Sequence, residues 1–103
     1  MLILFDHGTP RGLARVLPGH RVRTAKSMGW DRLSNGILLS AAETAGFELQ
    51  ITTDKNLGYQ QNLSQRKIAV IVLAISQWPQ LKLDVVPVVA AVNSVEPGSY
   101  VVV

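Results

Sequence analysis

Two aspartates each follow an apolar segment whose composition is typical of a β-strand. Asp6 ends the run LILFD near the start of the chain, and Asp54 ends the run LQITTD in its middle. If both runs are neighbouring parallel strands, both carboxylates lie at the carboxyl edge of the sheet, where open α/β sheets bind their ligands. One or two carboxylates, completed by waters and substrate phosphates, are a usual ligand set for Mg²⁺. The pattern therefore predicts a cation site made by Asp6 and Asp54.

Acids that follow strands also have structural uses, and the sequence leaves that alternative open. Aspartate is a preferred capping residue, and Asp6 stands just before a helix start at Gly8-Thr9-Pro10. Asp54 could equally bond backbone N–H groups in an Asx-turn. Both aspartates are therefore either ligands or caps.

Further polar residues stand close to the two aspartates in the sequence. Glu43, in a predicted helix, is either a third carboxylate of the site or part of a solvated face. His7 is either a metal ligand or general base, or a polar loop residue. The second alternative stays open because no second histidine stands at ligand spacing. Lys55 is placed to meet a phosphate beside Asp54, and Asn35 and Asn56 offer amides where carboxylates would bind a cation more strongly.

The segment 54–62 is rich in side-chain amides for a connection between two strands. Such side chains can bond phosphates, sugars or base edges, and Tyr59 could stack on a base. The alternative is a loop whose amides satisfy its own backbone.

Basic residues are concentrated in the first third of the chain. The net charge is only +3, but six of the ten basic residues lie between positions 11 and 32, where Asp31 is the sole acid. They are Arg11, Arg15, Arg21, Arg23, Lys26 and Arg32. This asymmetry favours a polyanion or an acidic protein as partner, with Arg11 as a substrate-binding residue. Solvated arginines on a helix and an edge strand explain it equally well.

Length and composition limit the classes of protein. The 103 residues suffice for a single domain, which we assign to 1–103, and the absence of cysteine excludes disulfides and thiolate metal sites. The apolar stretches are too short to span a bilayer, and the first residues do not resemble a signal peptide. We therefore expect a cytoplasmic protein with no membrane partner. Neither a dinucleotide-binding nor a Walker motif follows any strand, and no nucleophile elbow is present.

Strand and helix patterns alternate along the chain. Strands are predicted at 2–5, 20–24, 47–53, 69–73 and 99–103, with helices after Pro10, over 34–45, within 54–65 and over 81–92. The helix over 81–92 is expected to be perturbed at Pro87. This order predicts an α/β fold, a three-layer α/β/α sandwich around a mostly parallel sheet.

The ordered set LFD with Pro10, then GW, LSNG, AAE and GF, then TTDKNL resembles the short PIN-like proteins of bacteria, relatives of the PIN-domain ribonuclease toxins of toxin–antitoxin pairs. The likeness runs from about residue 2 to residue 73. It implies the same three-layer sandwich and RNA cleavage by three or four acids that hold Mg²⁺ or Mn²⁺.

The resemblance transfers unevenly to the acids of this chain. Asp6 matches the acid after the first strand, and Asp54 matches the first acid of the T-x-D-x-D-F pattern. Asn56 replaces the second acid of that pattern, Asn35 replaces the acid that opens the helix after the Trp loop, and Glu43 is a candidate third carboxylate. Each amide keeps the shape of the acid but removes a charge that a divalent cation needs.

Three functional hypotheses follow. The first is a metal-dependent ribonuclease, a toxin-like component with a cognate antitoxin, in which Asp6 and Asp54 bind Mg²⁺ or Mn²⁺ with Glu43 as a third acid, and Asn35, Asn56, Lys55 and Arg11 contact substrate. The second is a catalytically silent PIN-like module that binds RNA or a protein. The third is a dimerising protein that pairs through an exposed C-terminal edge strand at 101–103. The chain is accordingly expected to be a monomer or a homodimer.

Overall fold

A computed structural model describes residues 1–57 and 63–103 and contains a five-stranded sheet. The strands are β1 (Leu2–Phe5), β2 (Arg21–Thr24), β3 (Leu49–Thr52), β4 (Ala69–Val72) and β5 (Tyr100–Val102). They lie in the order β2-β1-β3-β4-β5, and every neighbouring pair is parallel. The predicted α/β sandwich with a parallel sheet is confirmed, and all five strands begin and end within two residues of the predicted bounds.

The sheet is covered on both faces, as its apolar strands require. Alternate residues of β1 and β3, beginning with Ile3 and Leu49, pack on one face beneath helices α2 (Trp78–Leu81) and α3 (Val86–Ser94). Leu4 and Val70 belong to the core of the other face, which helix α1 (Asn35–Thr44) covers. Each core lies between the sheet and the helices on one of its faces, which gives the fold its three layers.

Two predicted helices differ from the structure. The helix after Pro10 is a 3-10 helix, Arg11–Val16, in which the Leu13 N–H donates to the Pro10 carbonyl. The predicted helix over 81–92 begins later, because α3 starts only at Val86, and Leu81 is the last residue of a separate helix, α2. The division is made at Asp84, whose Oδ1 accepts the Val86 N–H, and Pro87 then stands in the first turn of α3, where a missing N–H costs nothing.

Both tryptophans pack on the core, Trp30 from a loop and Trp78 as the first residue of α2. The Trp30 ring meets Phe47 edge to face with ring centroids 5.8 Å apart. Trp78 packs on the opposite face against Gly12, so closely that a Cβ at Gly12 would lie 2.8 Å from the indole Nε1. Within the described residues, no helix is long and apolar enough to cross a membrane.

The strand order reverses direction at β1. From β1 the chain moves to β2 on one side and later returns to β3 on the other side of β1. Ligands of open α/β sheets bind at such a reversal, beyond the carboxyl ends of the two strands that flank it. Asp6 follows β1 and Asp54 follows β3 by two residues, so both aspartates lie at this reversal.

Candidate functional site at the carboxyl edge of the sheet

Asp6 is held in place by β3 and by its own loop. Its backbone N–H donates to the Ile51 carbonyl at 3.0 Å, which continues the pairing of β1 with β3. Its Oδ2 accepts the Thr52 hydroxyl at 2.9 Å, and its Oδ1 accepts the His7 backbone N–H at 2.7 Å. The carboxylate is half-buried and its orientation is fixed through both oxygens.

Asp54 is held in the same way from the other side. Its Oδ2 accepts the side-chain N–H of Asn35, the first residue of α1, at 2.8 Å. Its Oδ1 accepts the backbone N–H of Asn56 at 2.9 Å, which is the Asx-turn that the sequence allowed. The N-cap residue Ser34 makes no side-chain capping bond. The Asn35 side chain instead connects the start of α1 to the site.

Thr52 joins the two aspartates. Its hydroxyl donates to Asp6 and accepts the backbone N–H of Asp54 at 3.1 Å. One hydrogen-bonded chain therefore runs from Asp6 through Thr52 to Asp54 and on to Asn35. Asp6 and Asp54 thus accept local backbone N–H groups and also belong to one cluster, although the N-cap residue of the helix after Asp6 is Pro10. Their role as cation ligands stays a prediction.

The number of carboxylates in this cluster is at the lower limit of what a hard cation needs. A carboxylate offers about four lone-pair positions, and each aspartate uses two of them in the bonds above. Two carboxylates with open positions are a ligand set that Mg²⁺ accepts when waters and phosphates complete the shell. Within the described residues, no group of three or more histidines, cysteines, aspartates or glutamates is arranged to hold a metal. The residues that could hold it are Asp6 and Asp54.

Glu43 is not brought to the two aspartates. It lies eight residues along α1 from Asn35, which is about 12 Å along the helix axis. There it forms an ion pair with Arg66, Oε1 to Nη1 at 2.6 Å, and its Oε2 accepts the Lys67 backbone N–H. The expected third carboxylate is therefore engaged at the other end of α1, because the helix runs from the carboxyl edge of the sheet to its amino edge.

The ionisation of Glu43 reflects this structural role. Partial burial acts to raise the pKa of Glu43, but it is outweighed by three groups: the Arg66 side chain and the backbone N–H groups of Lys67 and Ile68. The pKa consequently lies below its ordinary value. Glu43 stays an anion that links α1 to the segment before β4.

The three other residues assigned to substrate contact are exposed. Lys55 and Asn56 lie in the turn that follows Asp54, on the same edge of the sheet. Arg11 lies on the opposite side of Asp6, where it lines a cavity of about 140 Å³. The structure thus brings Asp6, Asn35, Asp54, Lys55 and Asn56 to one edge and adds Arg11 beside Asp6.

His7 does not face this cluster with its ring nitrogen. Its Nε2 lies 2.7 Å from the Asp31 carbonyl oxygen, which can only accept, so the proton of the imidazole is on Nε2 in this contact. His7 therefore fastens the loop after β1 to the loop that carries Trp30.

Sequence reasoning did not single out Thr52, and it gave Lys26 only as one of the six basic residues between positions 11 and 32. Thr52 is fully buried on a strand whose other residues are also buried, and a hydroxyl in that position requires a partner. That requirement was a usable signal. Lys26 lines the cavity beside Asp6, but its position in the sequence does not distinguish it from other exposed lysines. Tyr59 and the amides at 60–62 lie outside the described residues.

No protein-family model matches the chain, and no match was found among curated proteins or among solved structures. The assignment to the PIN-like proteins therefore stays a prediction from the motifs.

Proposed function

We propose that this chain is a metal-dependent ribonuclease that uses Asp6 and Asp54 to hold one Mg²⁺ or Mn²⁺ ion against an RNA phosphate. The single observation that carries the proposal is the Thr52 bridge, which joins the carboxylate of Asp6 to the backbone N–H of Asp54 at the reversal of strand order. The resemblance to PIN-like proteins supports the substrate class.

Each residue of the cluster has a distinct role in this proposal. The cation, when bound, lowers the pKa of a water and offsets the negative charge of the phosphate. Asp6 and Asp54 supply the negative charge for binding it, and Thr52 orients the Asp6 carboxylate and holds the backbone of Asp54. Asn35 orients Asp54 by donating to its Oδ2. Lys55 and Asn56, exposed beside Asp54, contact the phosphates of the substrate.

The biological setting in the proposal follows from the resemblance alone. The chain acts in the cytoplasm as a toxin-like component, and a cognate antitoxin protein binds it. The concentration of basic residues between positions 11 and 32 supports either RNA or an acidic protein as the partner.

The test is cleavage of a labelled single-stranded RNA by the purified protein with Mn²⁺ or Mg²⁺. We expect cleavage that EDTA stops and that the double variant Asp6→Asn, Asp54→Asn lacks. The matched control is Glu48→Gln, Glu96→Gln, which removes the same two charges at the amino edge of the sheet and should cleave as the wild type does. Equal cleavage by wild type and the Asp6→Asn, Asp54→Asn variant would end the proposal.

A catalytically silent RNA-binding module is the second candidate, and one observation favours it. Both oxygens of each aspartate already accept hydrogen bonds, and the partner of Asp54 Oδ2 is the neutral amide of Asn35. Such a cluster can be stable without a cation. This candidate is favoured if calorimetry detects no heat of Mn²⁺ binding and if RNA binding weakens steeply as the salt concentration rises.

A further inference from the structure

A small polar cavity lies beside Asp6, on the side away from Asp54. Its volume is about 140 Å³, which corresponds to four or five water molecules at about 30 Å³ each. The loop after β1 forms one wall, and the end of β2 with the turn that follows it forms the other. The lining residues are Phe5, Asp6, His7, Gly8, Thr9, Arg11, Thr24, Ala25 and Lys26.

Each wall of this cavity contributes one cationic side chain. Arg11 comes from the wall after β1 and Lys26 from the wall after β2, and both are exposed. With Asp6 as the carboxylate in the lining, the cationic charges exceed the anionic charge by one. The cavity therefore favours a small anion, and an anion of that size with several acceptor oxygens is a phosphate group.

Both walls are fixed by hydrogen bonds before any ligand arrives. Thr9, buried in the first wall, donates its hydroxyl to the Ile51 carbonyl at 2.9 Å. In the second wall Thr24 and Ser27 bond reciprocally, since the Ser27 N–H donates to Thr24 Oγ1 and the Thr24 N–H donates to Ser27 Oγ. The backbones that carry Arg11 and Lys26 are thus positioned in advance, which lowers the cost of binding.

The basic surface continues from the cavity along the edge of the sheet. Arg21 and Arg23 are exposed on β2, the strand whose end contributes Thr24 to the cavity. Their side chains share the face of Leu2 and Leu4, with which they are in register. A chain of phosphates seated in the cavity could therefore extend along β2 over further cationic side chains.

We infer that this cavity binds one phosphate group of single-stranded RNA on the β2 side of Asp6, with Arg11 and Lys26 as its cationic contacts. The identification of that phosphate as part of RNA rests on the proposed function. The anion site itself requires neither cleavage nor a metal ion.

The first test is titration of the ¹⁵N-labelled protein with inorganic phosphate in EDTA, followed by amide chemical shifts. We expect saturable shifts centred on Gly8, Thr9, Ala25 and Lys26. The variant Arg11→Gln, Lys26→Gln should bind phosphate at least about tenfold more weakly, because the loss of hydrogen bonds from charged groups weakens binding by more than that factor. The variant Lys67→Gln, Lys82→Gln removes two exposed lysine charges elsewhere and should bind as the wild type does.

The second test is the binding of hexauridylate in EDTA at several salt concentrations. Loss of the one phosphate neutralised in the cavity should reduce the slope of log K against log salt by about 0.7 in Arg11→Gln, Lys26→Gln. Phosphate binding without any RNA cleavage would support the anion site and contradict only the proposed function. Absence of saturable phosphate binding, or equal binding by the two double variants, would overturn the inference even if RNA is cleaved.

Discussion

The hydroxyl of Thr52 donates a hydrogen bond of 2.9 Å to Oδ2 of Asp6. The Thr52 hydroxyl oxygen also accepts the backbone N–H of Asp54, so a fully buried side chain on β3 connects the residues that follow two neighbouring strands. This relationship connects the Asp6 carboxylate to the backbone of Asp54, although 48 positions separate the two residues.

Thr52→Val tests this connection, because valine keeps the shape of threonine and removes the hydroxyl. We expect a loss of about 1 to 3 kcal/mol of unfolding free energy, since the Asp54 N–H and one oxygen of Asp6 lose their partner. Urea denaturation measures the loss. The control is Thr53→Val, whose hydroxyl makes only a long bond of 3.5 Å to the His7 carbonyl. Equal stabilities of the two variants would contradict the bridging role.

Gln50 is expected to lower the stability of the fold. Its side chain is fully buried between Leu4 and Val70 in register, and neither its amide nitrogen nor its amide oxygen has a hydrogen-bond partner in the described part of the chain. Gln50→Met keeps a long unbranched side chain and should raise the free energy of unfolding by about 1 to 3 kcal/mol. The exposed Gln80→Met serves as control in the same denaturation series. A destabilised Gln50→Met variant would show that the amide has a partner in solution.

The ion pair of Glu43 with Arg66 should make stability depend on pH in the acid range. Because the pKa of Glu43 is lowered in the folded state, its contribution is present above the unfolded pKa of about 4.3 and is lost as pH falls through the folded pKa. Glu43→Gln should therefore cost about 1 kcal/mol at neutral pH, and the difference from wild type should shrink below about pH 4. Denaturation curves from pH 7 to pH 3 measure this. A constant difference across that range would refute it.

Two Pro-Gly turns with similar backbones allow a matched test of close packing. Gly19 and Gly98 both have positive φ, +84° and +77°, but a Cβ at Gly98 would lie 2.8 Å from the Arg66 carbonyl oxygen, whereas none of the described atoms outside its own neighbours lies within 4 Å at Gly19. Gly19→Ala should cost about 1 kcal/mol from the backbone alone, and Gly98→Ala about 2 to 5 kcal/mol. Thermal unfolding compares them. Similar losses in both variants would show that the segment before β5 can move away.

The sheet and the location of the site follow from local patterns in the sequence. Apolar runs bounded by Gly, Pro and Asp predict the five strands, and their alternation with helical segments predicts parallel pairing. Asp6 and Asp54 come to one edge because both follow such strands. The apolar run 85–92 favours one helix over 81–92, although Lys82 and Asp84 interrupt the apolar pattern before it. Asp84 and Pro87 are better read as the start of a new helix.

The contacts within the site depend on tertiary structure and were beyond local patterns. Glu43 stands at a plausible distance from Asp54 in sequence, but the direction of α1 carries it to the amino edge, where Arg66 and Lys67 meet it. Similarly, Lys26 reaches the cavity with Arg11 only because β2 pairs with β1. Helix direction and strand neighbours of this kind follow from the assembled fold.

The central claim is that Asp6 and Asp54 act together as one divalent cation site, and Mn²⁺ binding followed by electron paramagnetic resonance tests it most directly. We predict one bound Mn²⁺ per chain, binding at least about tenfold weaker in Asp6→Asn and in Asp54→Asn taken singly, and tighter binding in Asn35→Asp, which adds a charge beside Asp54. The double variant Glu48→Gln, Glu96→Gln should bind as the wild type does. Absence of Mn²⁺ binding, or binding that neither single aspartate variant weakens, would contradict the claim.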